Sequence, residues 1–214
     1  VRQYVDSLLK QIIRANKLED SIIKLHIIRH EQVNAFALPD GRILVFSHLI
    51  EDCKSPEELA GVLAHELAHI QQNHIAKKLA KEIGITVLTS VLANGSPELI
   101  REVLRVVSSK AYDRELEREA DIIAVKYLNK AGISSAGLAD FLYRLETEQD
   151  SEYKQLNTWF GTHPDGKERA DYIMQQQKTY ADKSIQPMDK EAVTAVQSKL
   201  KALRERVGAN EQDF

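Results

Sequence analysis

Cysteine is all but absent from this chain. Cys53 is the only one in 214 residues, which excludes an intrachain disulfide and a thiolate-rich metal site. A lone thiol suits the cytosol and an envelope space alike. No charge excess of either sign exists: 29 basic and 32 acidic residues leave a formal net charge of -3. With no dense Lys/Arg block either, nucleic acid is not an expected partner. Long apolar runs are missing too. The most apolar stretch, residues 83–93, is broken by Gly84, Thr86, Thr89 and Ser90, and falls short of the ~20 residues a spanning helix needs. Internal repeats, low-complexity segments and phosphate- or nucleotide-binding motifs are likewise absent. The first residue is Val1 rather than methionine, as expected of a trimmed or processed chain, so a leader or anchor ahead of it stays open.

The length suits one globular domain with a sizeable core, or a domain plus an appendage. Val1, Val5, Leu8, Leu9, Ile12 and Ile13 recur at helical spacing and predict an amphipathic first helix. Three short strand-type runs follow, at residues 22–29, 33–38 and 42–46. The last two are joined by Pro39-Asp40-Gly41, a turn in which Pro presets one φ and Gly accepts a positive one. A small, mostly antiparallel sheet is expected. Ser55-Pro56-Glu57-Glu58 reads as a capping box that opens a helix. That helix is expected to run toward Ala93 with a kink at Gly84. Asn94-Gly95 and Ser96-Pro97-Glu98 then predict a helical hairpin. Further helices are expected at residues 113–129, 135–150 and 167–177, with an irregular segment at 157–166. Residues 178–188 read as a linker and residues 189–207 as a charged helix. The division is a domain at residues 1–177 and a linker with a helical appendage at 178–214.

Within the predicted central helix stands His65-Glu66-Leu67-Ala68-His69. Two histidines four apart project from one helical face, so both imidazoles reach one ion. Glu66 leans toward the open coordination position, where it can take a proton from a water that the metal has acidified. Neutral nitrogen donors in a tight tetrahedral set favour zinc over calcium or magnesium. The bland alternative is a pair of surface histidines. Val62, Leu63, Leu67, Ala68 and Ile70 oppose it, because unpaired histidines would be costly in so apolar a setting. His74, five residues beyond His69, points elsewhere and is expected at the surface.

A third protein ligand is needed if one position is to stay open. Residues 114–121 offer several carboxylates, and helical spacing separates them. Glu117 and Asp121 share a stripe with Ala124 and Leu128, hence face the interior. Glu115 and Glu119 share one with Lys126 and Lys130, hence face solvent. Glu117 is therefore the expected ligand. Asp121, one turn on, is placed to accept from a ligating imidazole and fix its tautomer.

These residues resemble the HtpX and CAAX-prenyl-endopeptidase family of zinc metallopeptidases, which pairs a His-Glu-x-x-His helix with a downstream Glu-x-x-Ala-Asp. Asn34-Ala35-Phe36-Ala37-Leu38-Pro39 is similar to the strand entering the family's Pro-Gly-Gly turn. Thr162-His163-Pro164, with Arg169 beyond, is similar to its Thr-His-Pro element. Asp40 replaces the first Gly of that turn, and Asp113 precedes Arg114 where Ser is common; Asp also caps well. The resemblance implies an α+β, mostly helical, zincin-like fold of gluzincin type, with a small sheet packed on the active-site helices. It implies one zinc ion on His65, His69 and Glu117, Glu66 as base, Asp121 as supporting acid and Arg169 as further support. Asn34, Ala35, Phe36 and Ala37 would form an edge strand along which a peptide adds through backbone hydrogen bonds. Ordinary core packing by Phe36 and Leu38 is the plain alternative. His163 is expected to be catalytic, stabilising an oxyanion ahead of occupying the open metal position at rest; a histidine that simply begins a helix is the plain alternative.

The family's multi-span membrane segments are missing. The chain thus resembles soluble members of the bacterial cell envelope, some of them lipid-anchored, that degrade or sort misfolded outer-membrane proteins. Periplasmic or membrane-associated location and unfolded or misfolded envelope proteins as substrates are what that likeness implies. Two rivals stand beside the endopeptidase. One is a chaperone-like binding module with a structural metal, and the other a zinc hydrolase of a non-peptide substrate.

Overall fold

The structure is a computed structural model that describes residues 1–86, 89, 101, 103, 105–107, 111–148, 157–179, 185 and 187–211. Helix α1 (Arg2–Ala15) is followed by strands β1 (Lys24–Ile28), β2 (Ala35–Ala37) and β3 (Arg42–Phe46), then α2 (Ser47–Asp52) and α3 (Pro56–Gln71). Next come α4 (His74–Ile83), α5 (Arg114–Lys130), α6 (Ala136–Thr147), the single turn α7 (Trp159–Thr162), α8 (Gly166–Thr179) and α9 (Lys190–Glu211). The expected α+β, mostly helical class with a small sheet is what the chain forms. The hairpin expected at residues 94–98 and most of the linker at 178–188 lie outside the described residues. No described helix is long and apolar enough to cross a membrane.

The sheet is mixed rather than mostly antiparallel. Its order is β1-β3-β2, with β1 parallel to β3 and β2 antiparallel to it. The Pro39-Asp40-Gly41 turn makes the β2–β3 hairpin as expected, with Gly41 at φ +82°. A Cβ there would lie 2.2 Å from the Ile22 carbonyl oxygen, so that position needs glycine. The excursion of residues 29–34 instead carries the chain past β3 to its far edge, and this leaves β1 running parallel to β3. Spacing along one strand does not reveal such a crossover.

Helix α3 is the central element. Ser55 Oγ accepts from the Glu58 amide at 3.2 Å. Glu58 does not close the box on Ser55; its carboxylate accepts from the Lys54 amide at 2.9 Å and from Arg144 at 2.7 Å. Leu59, Val62, Leu63 and Leu67 are fully buried in a core built with α1, the sheet, α5, α6 and Trp159. Small residues let α6 come close. A methyl on Gly61 would sit 2.7 Å from Leu138 Cβ, and one on Gly137 2.4 Å from the Glu57 carbonyl carbon.

The α3 helix does not continue to Gly84. It stops at Gln72, and Asn73 takes a left-handed conformation at φ 54°. Asn tolerates that region better than most residues. The chain turns there, α4 starts at His74, and Phe36 and Leu38 of the hairpin pack on Ile75 and Leu79 in a second apolar cluster. At the other end of the chain, α9 packs on α2. Val193 and Val196 are buried, and the Gln197 amide donates to the Cys53 carbonyl at 2.6 Å.

Candidate metal centre

Three helices and one short loop converge on a single point. Helix α3 brings His65, Glu66 and His69, α5 brings Glu117 and Asp121, the residue after α7 brings His163, and α8 brings Arg169. All seven are buried. His65 Nε2 and His69 Nε2 face each other at 3.0 Å. Glu117 Oε1 is 3.2 Å from His69 Nε2, and Oε2 is 3.5 Å from His65 Nε2. His163 Nδ1 lies 3.4 Å from His65 Nε2 and 3.1 Å from Glu117 Oε1. One donor atom from each of these four residues falls within 4.8 Å of all the others.

The second ring nitrogens decide what this cluster is for. His65 Nδ1 faces Asp121 Oδ1 at 3.0 Å and so carries a proton, leaving Nε2 as the nitrogen a metal would take once it displaces the proton there. His69 Nδ1 is 3.0 Å from His74 Nδ1. A proton on His69 Nδ1 satisfies that contact and leaves its Nε2 bare. Two imidazole nitrogens and a carboxylate oxygen converge on one spot, where a metal ion can replace the proton that His65 Nε2 carries in its absence. Both carboxylate oxygens of Glu66 are also buried outside hydrogen-bond geometry, with His163 Nε2 3.5 Å from Oε1, in a place where such groups are normally satisfied. The donor set therefore fits a metal ion held by His65, His69 and Glu117, with His163 in reach of a fourth position.

Electrostatics agree. Burial opposes charge on every group, and the neighbours then set the outcome. For Glu117 burial is outweighed by Arg169, His163 and His65, which hold its carboxyl well below the usual range. Asp121 is lowered the same way, chiefly by Arg169. The Arg169 fork grips Asp121 through Nε and Nη2 at 2.7 and 2.8 Å and reaches Glu117 through Nη1. His69 is pushed well down by burial and His65, and His163 down to about 4 by burial, so both stay neutral. With no metal, burial of His65 is overridden by Glu117 and Asp121, which raise it to about 9. Burial raises Glu66 to about 8.

Every residue singled out around the His-Glu pair is thus brought together. The substrate-strand residues are placed differently. Asn34, Ala35, Phe36 and Ala37 lie on the sheet's edge strand or its entry, yet are only 1, 0, 7 and 0 % exposed. Phe36 is held in the α4 cluster, and the Asn34 amide donates to the Thr158 hydroxyl at 3.0 Å. Asp113, expected as a cap, makes no side-chain cap bond and pairs with Lys81 at 2.9 Å instead.

His74 requires a correction. It is fully buried, not at the surface. Its Nδ1 meets His69, and its Nε2 meets Glu119 Oε2 at 3.1 Å. The α3–α4 break at Asn73 turns it back toward the site. Glu115 is exposed as expected, whereas Glu119 is half-exposed and tied to His74. Tyr112 was not foreseen either. Its ring stacks on His69 with centroids 4.2 Å apart, while Trp159 stacks on His163 at 4.3 Å. Only the tyrosine's place just ahead of the acidic helix could have drawn notice to it.

The sequence profile of peptidase family M48 matches residues 1–177. This chain belongs to peptidase family M48. Among its relatives is the mitochondrial metalloendopeptidase OMA1 of Schizosaccharomyces pombe, 31 % identical over 169 residues, covering 78 % of this chain and 50 % of that protein. The metalloprotease YcaL of Escherichia coli is 27 % identical over 165 residues, 74 % of this chain and 63 % of its own length. The beta-barrel assembly-enhancing protease of Escherichia coli is 27 % identical over 157 residues, 67 % and 32 %. The chain therefore spans between about a third and two thirds of the length of these three proteins.

Proposed function

We propose that this chain is a zinc-dependent endopeptidase acting on unfolded or misfolded proteins of the bacterial cell envelope. The observation that carries the reading is the convergence of two imidazole Nε2 atoms and the Glu117 carboxylate beside the buried carboxylate of Glu66. His65, His69 and Glu117 would hold the metal. When bound, zinc supplies a Lewis acid that polarises a carbonyl and acidifies a water. Glu66, raised to about 8 by burial in the metal-free protein, would be drawn down by a bound dication and could then take a proton and return it to the leaving amine. Asp121 and Arg169 orient His65 and Glu117. Strand β2, next to α3, serves as the rail for an extended substrate.

His163 is better read as a plug at rest than as an oxyanion donor. Its Nδ1 sits among the ligand atoms, and its ring is pinned by Trp159. The burial of β2 points the same way, toward a closed resting form in which peptide enters only after the cleft opens. Envelope location and substrate class are supported by the likeness to the beta-barrel assembly-enhancing protease of Escherichia coli. A structural-metal binding module is disfavoured because Glu66 would then be a buried carboxylate without purpose. The test is casein cleavage by wild type and Glu66→Gln at saturating zinc, with a chelator control. Wild-type cleavage abolished by chelator and by Glu66→Gln is the expected result. Equal cleavage by the variant would remove Glu66 from the role.

A further inference from the structure

We infer that His74 and Glu119 form a positioning relay that holds His69 in its metal-binding tautomer. The inference rests on the reading of His69 as a metal ligand and extends it outward by two residues. With one proton on each imidazole, the chain of contacts allows one arrangement. Glu119 Oε2, a carboxylate oxygen, accepts from His74 Nε2 at 3.1 Å. His74 then carries its proton on Nε2 and leaves Nδ1 bare. His69 Nδ1 can make its 3.0 Å contact with that bare nitrogen only by donating to it. His69 Nε2 is thereby left as a lone-pair donor aimed at the centre, 3.0 Å from His65 Nε2.

The arrangement parallels the other ligand. His65 Nδ1 is held by Asp121, itself clamped by Arg169. Each ligating ring thus has its own outer partner, but the two differ in setting. Asp121 and Arg169 are buried, whereas Glu119 is 44 % exposed and sits on the rim. His74 is wholly buried, so a ring nitrogen there is costly without the two partners it has. Two features of the chain build the relay. The left-handed Asn73 ends α3 and swings His74 back over His69. Glu119 lies two residues from Glu117 on α5, on the side that faces α4. Tyr112, stacked on the His69 face at 4.2 Å, limits ring rotation. Partners of this kind are worth roughly 10–100-fold in metal affinity.

The test is zinc affinity by competition with a chromophoric chelator, on the whole chain, for wild type, His74→Phe, Glu119→Ala, Glu119→Gln and Glu115→Ala. His74→Phe keeps ring volume and removes both nitrogens, and should weaken zinc by about 10–100-fold. Glu119→Ala should fall in the lower part of that range because its carboxylate is half in water. Glu119→Gln, which still offers an acceptor oxygen, should recover part of the loss, and Glu115→Ala should match wild type. A second readout is free of activity and of simple stability. Nitrogen-edited NMR of the zinc-loaded protein should show a His69 Nδ1–H that is slow to exchange in wild type and in Glu115→Ala, and exchanges fast in His74→Phe and Glu119→Ala. Since Glu119 is half-exposed, its variants test the idea even if His74→Phe fails to fold. Unchanged zinc affinity in both Glu119 variants overturns the relay. A wild type that binds no zinc overturns the metal-site reading, and the relay with it.

Discussion

Replacing Arg169 with methionine should be the most damaging single change outside the ligands. The guanidinium is buried, binds both oxygens of Asp121 at 2.7 and 2.8 Å, and also reaches Glu117. Methionine fills much of the stem but leaves two buried carboxylates with only the His65 imidazolium between them. Breaking a buried pair from one side typically costs about 3–5 kcal/mol. With two acids stranded, the upper end applies. For a chain of this size each kcal/mol is worth roughly 2–4 °C. The chelated variant should therefore melt about 10–20 °C below chelated wild type. Zinc would return a positive charge to Glu117, so part of the loss should be regained on metal addition. Arg169→Lys keeps the charge and loses the two-pronged grip, and should fall between the two. Thermal unfolding by circular dichroism, with chelator and with saturating zinc, reads all of this. If chelated Arg169→Met melts within about 2 °C of wild type, the clamp is not what holds α5 and α8 together at the site.

Asp121→Asn should leave the fold in place and weaken zinc by about 10–100-fold, measured by chelator competition; an unchanged affinity would mean that Asp121 does not orient His65. His163→Ala should raise turnover of a small peptide at saturating zinc if the ring blocks the site at rest, whereas lost turnover with zinc retained would restore the oxyanion role. The metal-free protein should lose stability as pH rises from about 7 to 9. His65 at about 9 and Glu66 at about 8 are both raised above their ordinary values, so each contributes stability at low pH that is lost as pH climbs through those values. Zinc displaces the His65 proton, so the zinc-induced gain in melting temperature should widen over the same range; a gain that shrinks would reverse the assignment of that proton.

The strong local signals were legible, and the junctions were not. Four-residue spacing placed His65 and His69 on one face, and the apolar stripe through Ala124 and Leu128 chose Glu117 and Asp121 over Glu115. Both follow from helical period alone. What failed depended on how the chain turns between elements. Nothing in the periodicity of residues 56–83 marks Asn73 as the end of α3, because the apolar pattern resumes at Ile75 and Leu79. Without that stop, helical spacing puts His74 at the surface and Glu119 in solvent. The parallel β1–β3 pairing was hidden for a similar reason. Both strands read as short apolar runs, and only the path of residues 29–34 fixes their relative direction. His163 was legible as a residue of interest, but its distance to the ligands depends on the one-turn helix α7 and on Trp159 beneath it.

One ion at one place decides whether this chain is a metallopeptidase of the kind proposed. Crystals of Glu66→Gln grown with zinc, with diffraction data recorded on both sides of the zinc absorption edge, would locate it directly. The prediction is a single strong anomalous peak about 2.0–2.2 Å from His65 Nε2, His69 Nε2 and a Glu117 carboxylate oxygen. No peak among these three side chains at saturating zinc, or a peak elsewhere in the chain, would contradict it.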